Sequence, residues 1–161
     1  MSIWYSNFEF VSNFDIRVSD LHEPRKMQYL AIDYGSKRIG LAICDPAGTI
    51  ASPLAVIQGQ KEAIRRILDI VETENVEAIV LGLPLNMDDS QGPQAELVFK
   101  FAEQLKAHLD IPIHFQDERL SSFSAKEKLS QTEFTRKKKK KRLDAIAAAE
   151  ILQAFLDNKN T

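Results

Sequence analysis

A short segment in the middle of the chain, from Glu77 to Leu83, is apolar at every position after its first. A continuous apolar run of this length is typical of a strand that is covered on both faces, as in a parallel sheet. The segments on either side show helical spacing instead. Apolar residues there predict amphipathic helices over residues ~60–74 and from about Gln94 onward. A strand buried between helices favours an α/β fold with helices on both faces of the sheet.

Three further apolar segments precede this strand. Tyr29–Asp33 and Ile39–Cys44 are predicted as neighbouring strands joined by a tight turn. Thr49–Ile57 is predicted as a third strand that completes an antiparallel meander. The remaining predicted elements are a strand at Ile111–Phe115, a helix over ~122–130 and a closing helix over ~142–156. The order of elements predicts a mixed five-stranded sheet, in which the meander is joined to parallel strands.

The length of 161 residues and the hydrophobic content of 44% fit one domain, which we expect over residues 27–157. Residues 158–161 are expected to be a tail. Residues 1–26 form an N-terminal extension that holds five of the thirteen aromatic residues. We interpret it either as an added edge strand or partner-binding arm, or as a disordered leader before a true start at Met27.

The chain has one cysteine, Cys44, and therefore no internal disulfide. This agrees with a reducing, cytoplasmic setting. No apolar stretch approaches the roughly 18 residues that cross a bilayer, and no signal peptide is recognisable. We therefore expect a cytoplasmic protein without a membrane partner.

Seven consecutive basic residues, Arg136–Arg142, precede an alanine-rich segment that contains Asp144. They are 7 of the 21 lysines and arginines, so the rest of the chain has 14 basic against 23 acidic residues. This segregation of charge predicts a cationic loop that binds a phosphate backbone. The residues nearest the closing helix are the candidate substrate contacts: Lys139, Lys140, Lys141 and Arg142. The alternative is a solvated surface loop.

Carboxylates fall at the ends of three predicted elements: Asp33 after the first strand, Asp117 or Glu118 after the fifth, and Asp144 early in the last helix. If these ends share one edge of the sheet, the carboxylates converge, and clustered like charges normally need a cation to persist. Oxygen ligands of this kind favour Mg²⁺, with Mn²⁺ as the alternative. Such a site would support metal-assisted phosphodiester hydrolysis. Alternatively, Asp144 complements the helix dipole and the acids beside Arg119 form surface ion pairs.

Two cations, Lys37 and Arg38, follow Asp33 in the turn that starts at Gly35. They are candidates for holding the scissile phosphate, the arginine with bidentate geometry, or else they are turn residues that face water. The three histidines lie far apart in the chain and do not predict a zinc site.

Four motifs, in this order, resemble the YqgF/RuvX family of bacterial proteins: Asp33–Ala42, Leu81–Met87, Asp117–Ser122 and Leu143–Gln153. Members of that family are described as Holliday-junction resolvases and as nucleases that mature the 5′ end of pre-16S rRNA. The resemblance covers about Met27 to Leu156. It implies an RNase H-like fold whose active-site acids surround the central strand.

Carried over position by position, the resemblance implies that Asp33, Glu118 and Asp144 are the catalytic and metal-binding acids. Arg38 and Arg119 occupy the accompanying basic positions, and the residues implied to shape the cleft wall are Gly82, Pro84 and Asn86. Better-characterised resolvases of this fold use a fourth acid after the fourth strand. The corresponding positions here are Gly82, Leu83 and Pro84. The fourth ligand is therefore missing, or it is supplied by Asp117 or a water. The resemblance leaves open whether the site holds one metal ion or two. The basic run also departs from the family pattern.

We therefore predict an Mg²⁺-dependent endonuclease, a monomer or homodimer, that acts on structured RNA, above all pre-16S rRNA. A resolvase of branched DNA and a non-catalytic nucleic-acid-binding factor in transcription or ribosome assembly are the alternatives. A third interpretation starts from actin-like and sugar-kinase relatives of the fold, whose Asp-x-Gly turn binds nucleotide phosphates, but 161 residues leave no second lobe to close over a nucleotide.

Overall fold

A five-stranded mixed sheet forms the centre of the structure, a computed structural model that describes residues 27–88, 90–120 and 136–159. The strand order is β3-β2-β1-β4-β5. The strands are β1 Tyr29–Tyr34, β2 Arg38–Cys44, β3 Ala51–Gln58, β4 Ala78–Leu83 and β5 Ile113–Asp117. The first three pair antiparallel, whereas β4 runs parallel to both β1 and β5. The predicted mixed sheet with its meander is confirmed.

Helices cover both faces of this sheet. They are α1 Ala63–Thr73, α2 Pro93–Lys106 and α3 Arg136–Lys159, with a short 3₁₀ turn at Glu118–Leu120. The α3 helix continues two residues into the expected tail. The N-terminal extension and the helix predicted over ~122–130 lie outside the described residues. No helix in the described ranges is both long and apolar enough to cross a bilayer.

Alternation along β1 divides the core into two layers. Leu30 and Ile32 pack in the layer beneath α1 and α2, whereas Tyr29 and Ala31 face α3. The layer beneath α3 contains many small residues, on the helix as well as on the strands: Ala31, Ala42, Ala78, Ala148 and Ala149. Since small side chains separate two backbones less than large ones do, α3 lies close to the centre of the sheet.

The basic run is helical. We expected a loop that ends at a helix over ~142–156, but Arg136–Arg142 forms the first two turns of α3. Lysine and arginine are good helix formers, and like charges four residues apart cost only a few tenths of a kcal/mol per pair. Because the run continues directly into a helix anchored on the sheet, extension of that helix outweighs the repulsion.

Candidate active site

Asp33 lies near the end of β1, in the centre of the sheet. It is paired with Gly40 of the antiparallel β2, and its own strand also borders β4. The carboxyl group is largely buried, and this burial, together with the negative charge of Asp144, raises its pKa from an ordinary value of 3.8 to about 6. A carboxyl group with such a pKa is found where a cation or a proton is to be bound.

Glu118 directly follows β5, and its carboxylate reaches back over β4. Gly82 of β4 is adjacent to Gln116 of β5, and a side chain at Gly82 would overlap the Glu118 carboxylate and lie 2.7 Å from the Ile151 Cδ1 atom. Burial raises the pKa of Glu118 to about 7, with further contributions from Asp33 and Asp117. The Glu118 carboxylate therefore lies over β4, in the space that Gly82 leaves for it.

Asp144 reaches the same edge from α3. A Cβ atom at Gly40 would overlap the Asp144 carbonyl group and lie 3.1 Å from the Ala145 backbone nitrogen, so helix and strand are in direct backbone contact there. Gly40 is also the strand partner of Asp33. The structure therefore brings together Asp33, Glu118 and Asp144, of which the first and the last are 111 positions apart in the chain.

Arg38 neutralises one of these acids. Its Nε atom lies 2.5 Å from Asp144 Oδ2, and both side chains are about three-quarters buried. Within the described residues neither atom makes a hydrogen bond, so the contact is an ion pair without hydrogen-bond geometry. Lys37, in contrast, is exposed in the turn before β2.

Arg119 connects the end of β5 to the loop after β4. Its guanidinium donates to Asp117 at 2.6 to 3.1 Å and to the Asn86 carbonyl oxygen at 3.1 Å. The side-chain hydrogen bonds from Arg119 hold the pKa of Asp117 below its ordinary value. The Asn86 amide donates to the Ser90 hydroxyl at 2.8 Å. Asp117, Arg119 and Asn86 thus form a bridge beside the acids, and the Asp117 carboxylate is engaged by Arg119.

Comparison with known proteins identifies the family. A family model described as "RuvX: Holliday junction resolvase" matches residues 27–158. The chain belongs to the RuvX family. Over 138 residues it is 41% identical to a protein from Roseiflexus sp. (strain RS-1) named "Putative pre-16S rRNA nuclease", with 84% of this chain and 96% of the relative covered. A protein of the same name from Syntrophomonas wolfei is 44% identical over 133 residues, 81% of this chain and 94% of the relative.

Solved structures confirm the RNase H-like fold of this RuvX chain. T. thermophilus RuvC, in complex with a Holliday junction substrate, has a TM-score of 0.53 at 14% identity and covers 84% of this chain and 97% of its own. The Fowlpox virus resolvase, in complex with Holliday junction DNA, has a TM-score of 0.51 at 14% identity and covers 84% of this chain and 100% of its own. These two likenesses concern the fold alone, while the family and its named relatives support the predicted hydrolase activity of a nuclease.

The acids of the RuvX chain suit a hard divalent cation by type, since all three offer carboxylate oxygens. Two of them have raised pKa values, and a cation would relieve the burial and repulsion that raise them. Among the described residues no group of three or more His, Cys, Asp or Glu side chains is arranged so that it could hold a metal ion. The three acids thus fit the ion by the type of their donor atoms, whereas their arrangement in this structure is not that of a three-residue metal site.

Two glycines are essential to this geometry, and sequence reasoning did not assign them that role. Gly40 admits the backbone of Asp144, and Gly82 admits the carboxylate of Glu118. A glycine within an apolar strand often marks the close approach of another group. That signal was present in the RuvX sequence, but it does not identify the approaching residue.

Proposed function

We propose that this chain is a divalent-metal-dependent endonuclease that hydrolyses phosphodiester bonds in structured RNA and processes the 5′ end of pre-16S rRNA. The observation that carries the proposal is the convergence of three carboxylates from separate elements at one sheet edge, two of them with pKa values raised to about 6 and about 7. The names of the RuvX relatives favour precursor rRNA as the substrate.

Asp33, Glu118 and Asp144 would hold Mg²⁺, with Mn²⁺ as the alternative. A bound ion of this kind supplies an activated water for attack on phosphorus and stabilises the leaving oxygen. The chain itself supplies a rigid frame for the acids, because each of them is fixed by a strand end or by a helix that touches the sheet. Glycine at Gly82 leaves the space into which the Glu118 carboxylate turns.

Arg38 would contact the scissile phosphate. It already lies beside the acids through its ion pair with Asp144, and a substrate phosphate offers its guanidinium a second anionic partner. Lys37, Asn86 and Arg119 border the same edge and would contact the flanking nucleotides. Asp144 is held in place by its own backbone contact with Gly40, so Arg38 can engage a phosphate without releasing the helix.

The basic run would bind the phosphate backbone next to the cleavage point. Lys139, Lys140, Lys141 and Arg142 precede Asp144 by two to five residues on the same helix. Binding that neutralises several phosphates is strongly salt-dependent, with a slope of about −0.9 per phosphate on duplex DNA. Since all three acids belong to one chain, a monomer suffices for the site and a homodimer is compatible with it. Ribosomal RNA is processed in the bacterial cytoplasm, and we place the protein there.

A direct comparison of substrates tests the proposal. The wild-type protein and Asp33→Asn are incubated with a precursor rRNA duplex and with a four-way DNA junction, with Mg²⁺ and with EDTA. We expect cleavage of the rRNA duplex that requires the metal and Asp33. Preferential cleavage of the junction would favour the resolvase activity in the family description instead. Equal cleavage by Asp33→Asn would reject the metal-nuclease mechanism.

A further inference from the structure

A cavity lies between β5 and the C-terminal end of α3. Its volume is about 420 Å³, within the range of small-molecule pockets. Its walls are aromatic. The Phe155 ring lies 5.3 Å from that of Tyr29 in an edge-to-face arrangement and 5.2 Å from that of His114. Tyr29 begins β1 and Asp33 is near its end, so the Tyr29 side of the cavity lies away from Asp33, whereas Gln116 is level with Asp33 through Gly82 of β4.

The cavity also has a polar side with an unusual member, Gln116. This side chain is 8% exposed and is the buried polar residue of the described core. It lines the cavity, and its amide is not among the buried side-chain groups that lack a partner, so the amide atoms remain in contact with solvent. An amide that is open to the cavity can exchange its water for a hydrogen bond to a ligand at little net cost.

A cation stands at the rim of the same cavity. The Lys159 ammonium contacts the Tyr29 hydroxyl and lies 4.8 Å from the centre of the Tyr29 ring. Asn158 lies beside it in the lining. These features match the parts of a nucleotide. The aromatic walls suit the faces of the base, the amide suits its hydrogen-bonding edge, and the ammonium at the rim suits its phosphate.

We propose that this cavity binds an unpaired nucleotide of the strand that the acids cleave. The inference rests on the proposed function. The base stacks on Phe155 and His114, the Gln116 amide bonds to the base edge, and Lys159 contacts the phosphate.

The position of β5 favours a strand over a free nucleotide. His114 and Gln116 are adjacent to Val80 and Gly82 of β4, and both face α3. Glu118 lies in the 3₁₀ turn after β5, and its carboxylate lies at Gly82, so the three side chains form a row from the cavity to the acids. At about 3.3 Å per residue, the part of this row within β5, from His114 to Gln116, spans about 7 Å. A short single strand along β5 would therefore reach both sites.

The test measures RNA binding by the full-length protein in EDTA, so that cleavage does not interfere. The probes are a duplex RNA with single-stranded extensions at both ends and a blunt duplex with the same base pairs. We expect His114→Ala and Gln116→Leu each to weaken binding of the extended duplex about tenfold and to leave the blunt duplex unchanged. Gln116→Leu removes the amide and keeps a side chain of similar size, and thermal unfolding checks that both variants are folded.

Matched controls come from the C-terminal end of α2 and the turn that follows it. His108→Ala and Lys106→Gln remove an exposed histidine and an exposed lysine away from the cavity and should change neither affinity. Equal weakening for both RNAs, or no weakening, overturns the proposal. A third outcome is binding of adenosine or uridine monophosphate that depends on His114, with no preference for the extended duplex. This outcome overturns the proposal of a bound strand and identifies a site for a free nucleotide. Extension-specific binding by a protein that never cleaves RNA supports the cavity and rejects the proposed nuclease.

Discussion

The Arg38 guanidinium lies 2.5 Å from the Asp144 carboxylate and joins β2 to α3 at the edge where the acids meet. Removal of a partly buried cation leaves its anion uncompensated. We expect Arg38→Gln to lower the free energy of unfolding by about 1–3 kcal/mol, as measured by urea denaturation. The double variant Arg38→Gln/Asp144→Asn should regain part of the lost free energy of unfolding, because it has no unpaired charge. Additive effects of the two substitutions would show that the pair does not interact.

Gly40→Ala should be strongly destabilising. The new methyl group would overlap the Asp144 carbonyl, and backbone atoms cannot move aside as the end of a side chain can. We expect a loss of about 2–4 kcal/mol, toward the upper end of overpacking effects, together with loss of RNA cleavage. Gly92→Ala is the matched control, because its methyl group would meet only the Asn86 side chain, at 3.4 Å or more. Similar losses for both variants would contradict the close contact at Gly40.

Gly82→Ala should affect activity through Glu118. The added methyl group displaces the Glu118 carboxylate and crowds the Ile151 Cδ1 atom at 2.7 Å, both of which are side-chain atoms that can move. We expect at least about a tenfold lower cleavage rate with a modest change in stability. In a Glu118→Gln background the same substitution should lower the rate little further. If Gly82→Ala lowers the cleavage rate of the Glu118→Gln variant by a further factor of about ten, Gly82 acts independently of Glu118.

The metal-free protein should become more stable when a buried acid is neutralised. Folding raises the pKa of Asp33 to about 6 and that of Glu118 to about 7. The folded state therefore binds these protons more tightly than the unfolded state, and the stability that they contribute is lost as the pH rises through 6 to 7. In EDTA at pH 8, Asp33→Asn should raise the free energy of unfolding by up to about 2 kcal/mol.

The same comparison at acid pH provides the check. Below about pH 6 the gain from Asp33→Asn should shrink, because the carboxyl group of the folded wild-type protein is then protonated. Asp110→Asn, at an exposed position, is the control and should change stability little at either pH. A gain that is the same at pH 5 and pH 8 would rule out repulsion and burial of charge as its cause.

Divalent cations should stabilise the wild-type protein at pH 8. An ion that binds only the folded state at a hundred times its dissociation constant adds about 2.7 kcal/mol, which is visible as a higher Tm. We expect this shift with MgCl₂ or MnCl₂, its reversal by EDTA, and its loss in Asp33→Asn. Asp110→Asn should keep the full shift. If Asp33→Asn responds like the wild type, the ion binds elsewhere.

Much of the fold followed from the sequence because its signals are local. The apolar run of β4 indicated a strand covered on both faces, and the meander with its turns indicated β1 to β3. The motifs around Asp33, Glu118 and Asp144 indicated the family, and the family model matches residues 27–158. The helical form of Arg136–Arg142 was the exception, since a charge run has the same composition in a loop as in a helix.

The sequence by itself determined the order of strands and helices, their apolar faces and the acidic residues at their ends, since each depends on residues a few positions apart. Only the tertiary structure decided that Arg38 is paired with Asp144, that Asp117 is engaged by Arg119, and that two glycines admit the acids. It also placed Gln116 among aromatic rings from β1, β5 and α3. These relationships depend on strand register and on how closely α3 approaches the sheet. Both are properties of packing between segments that are distant in the chain.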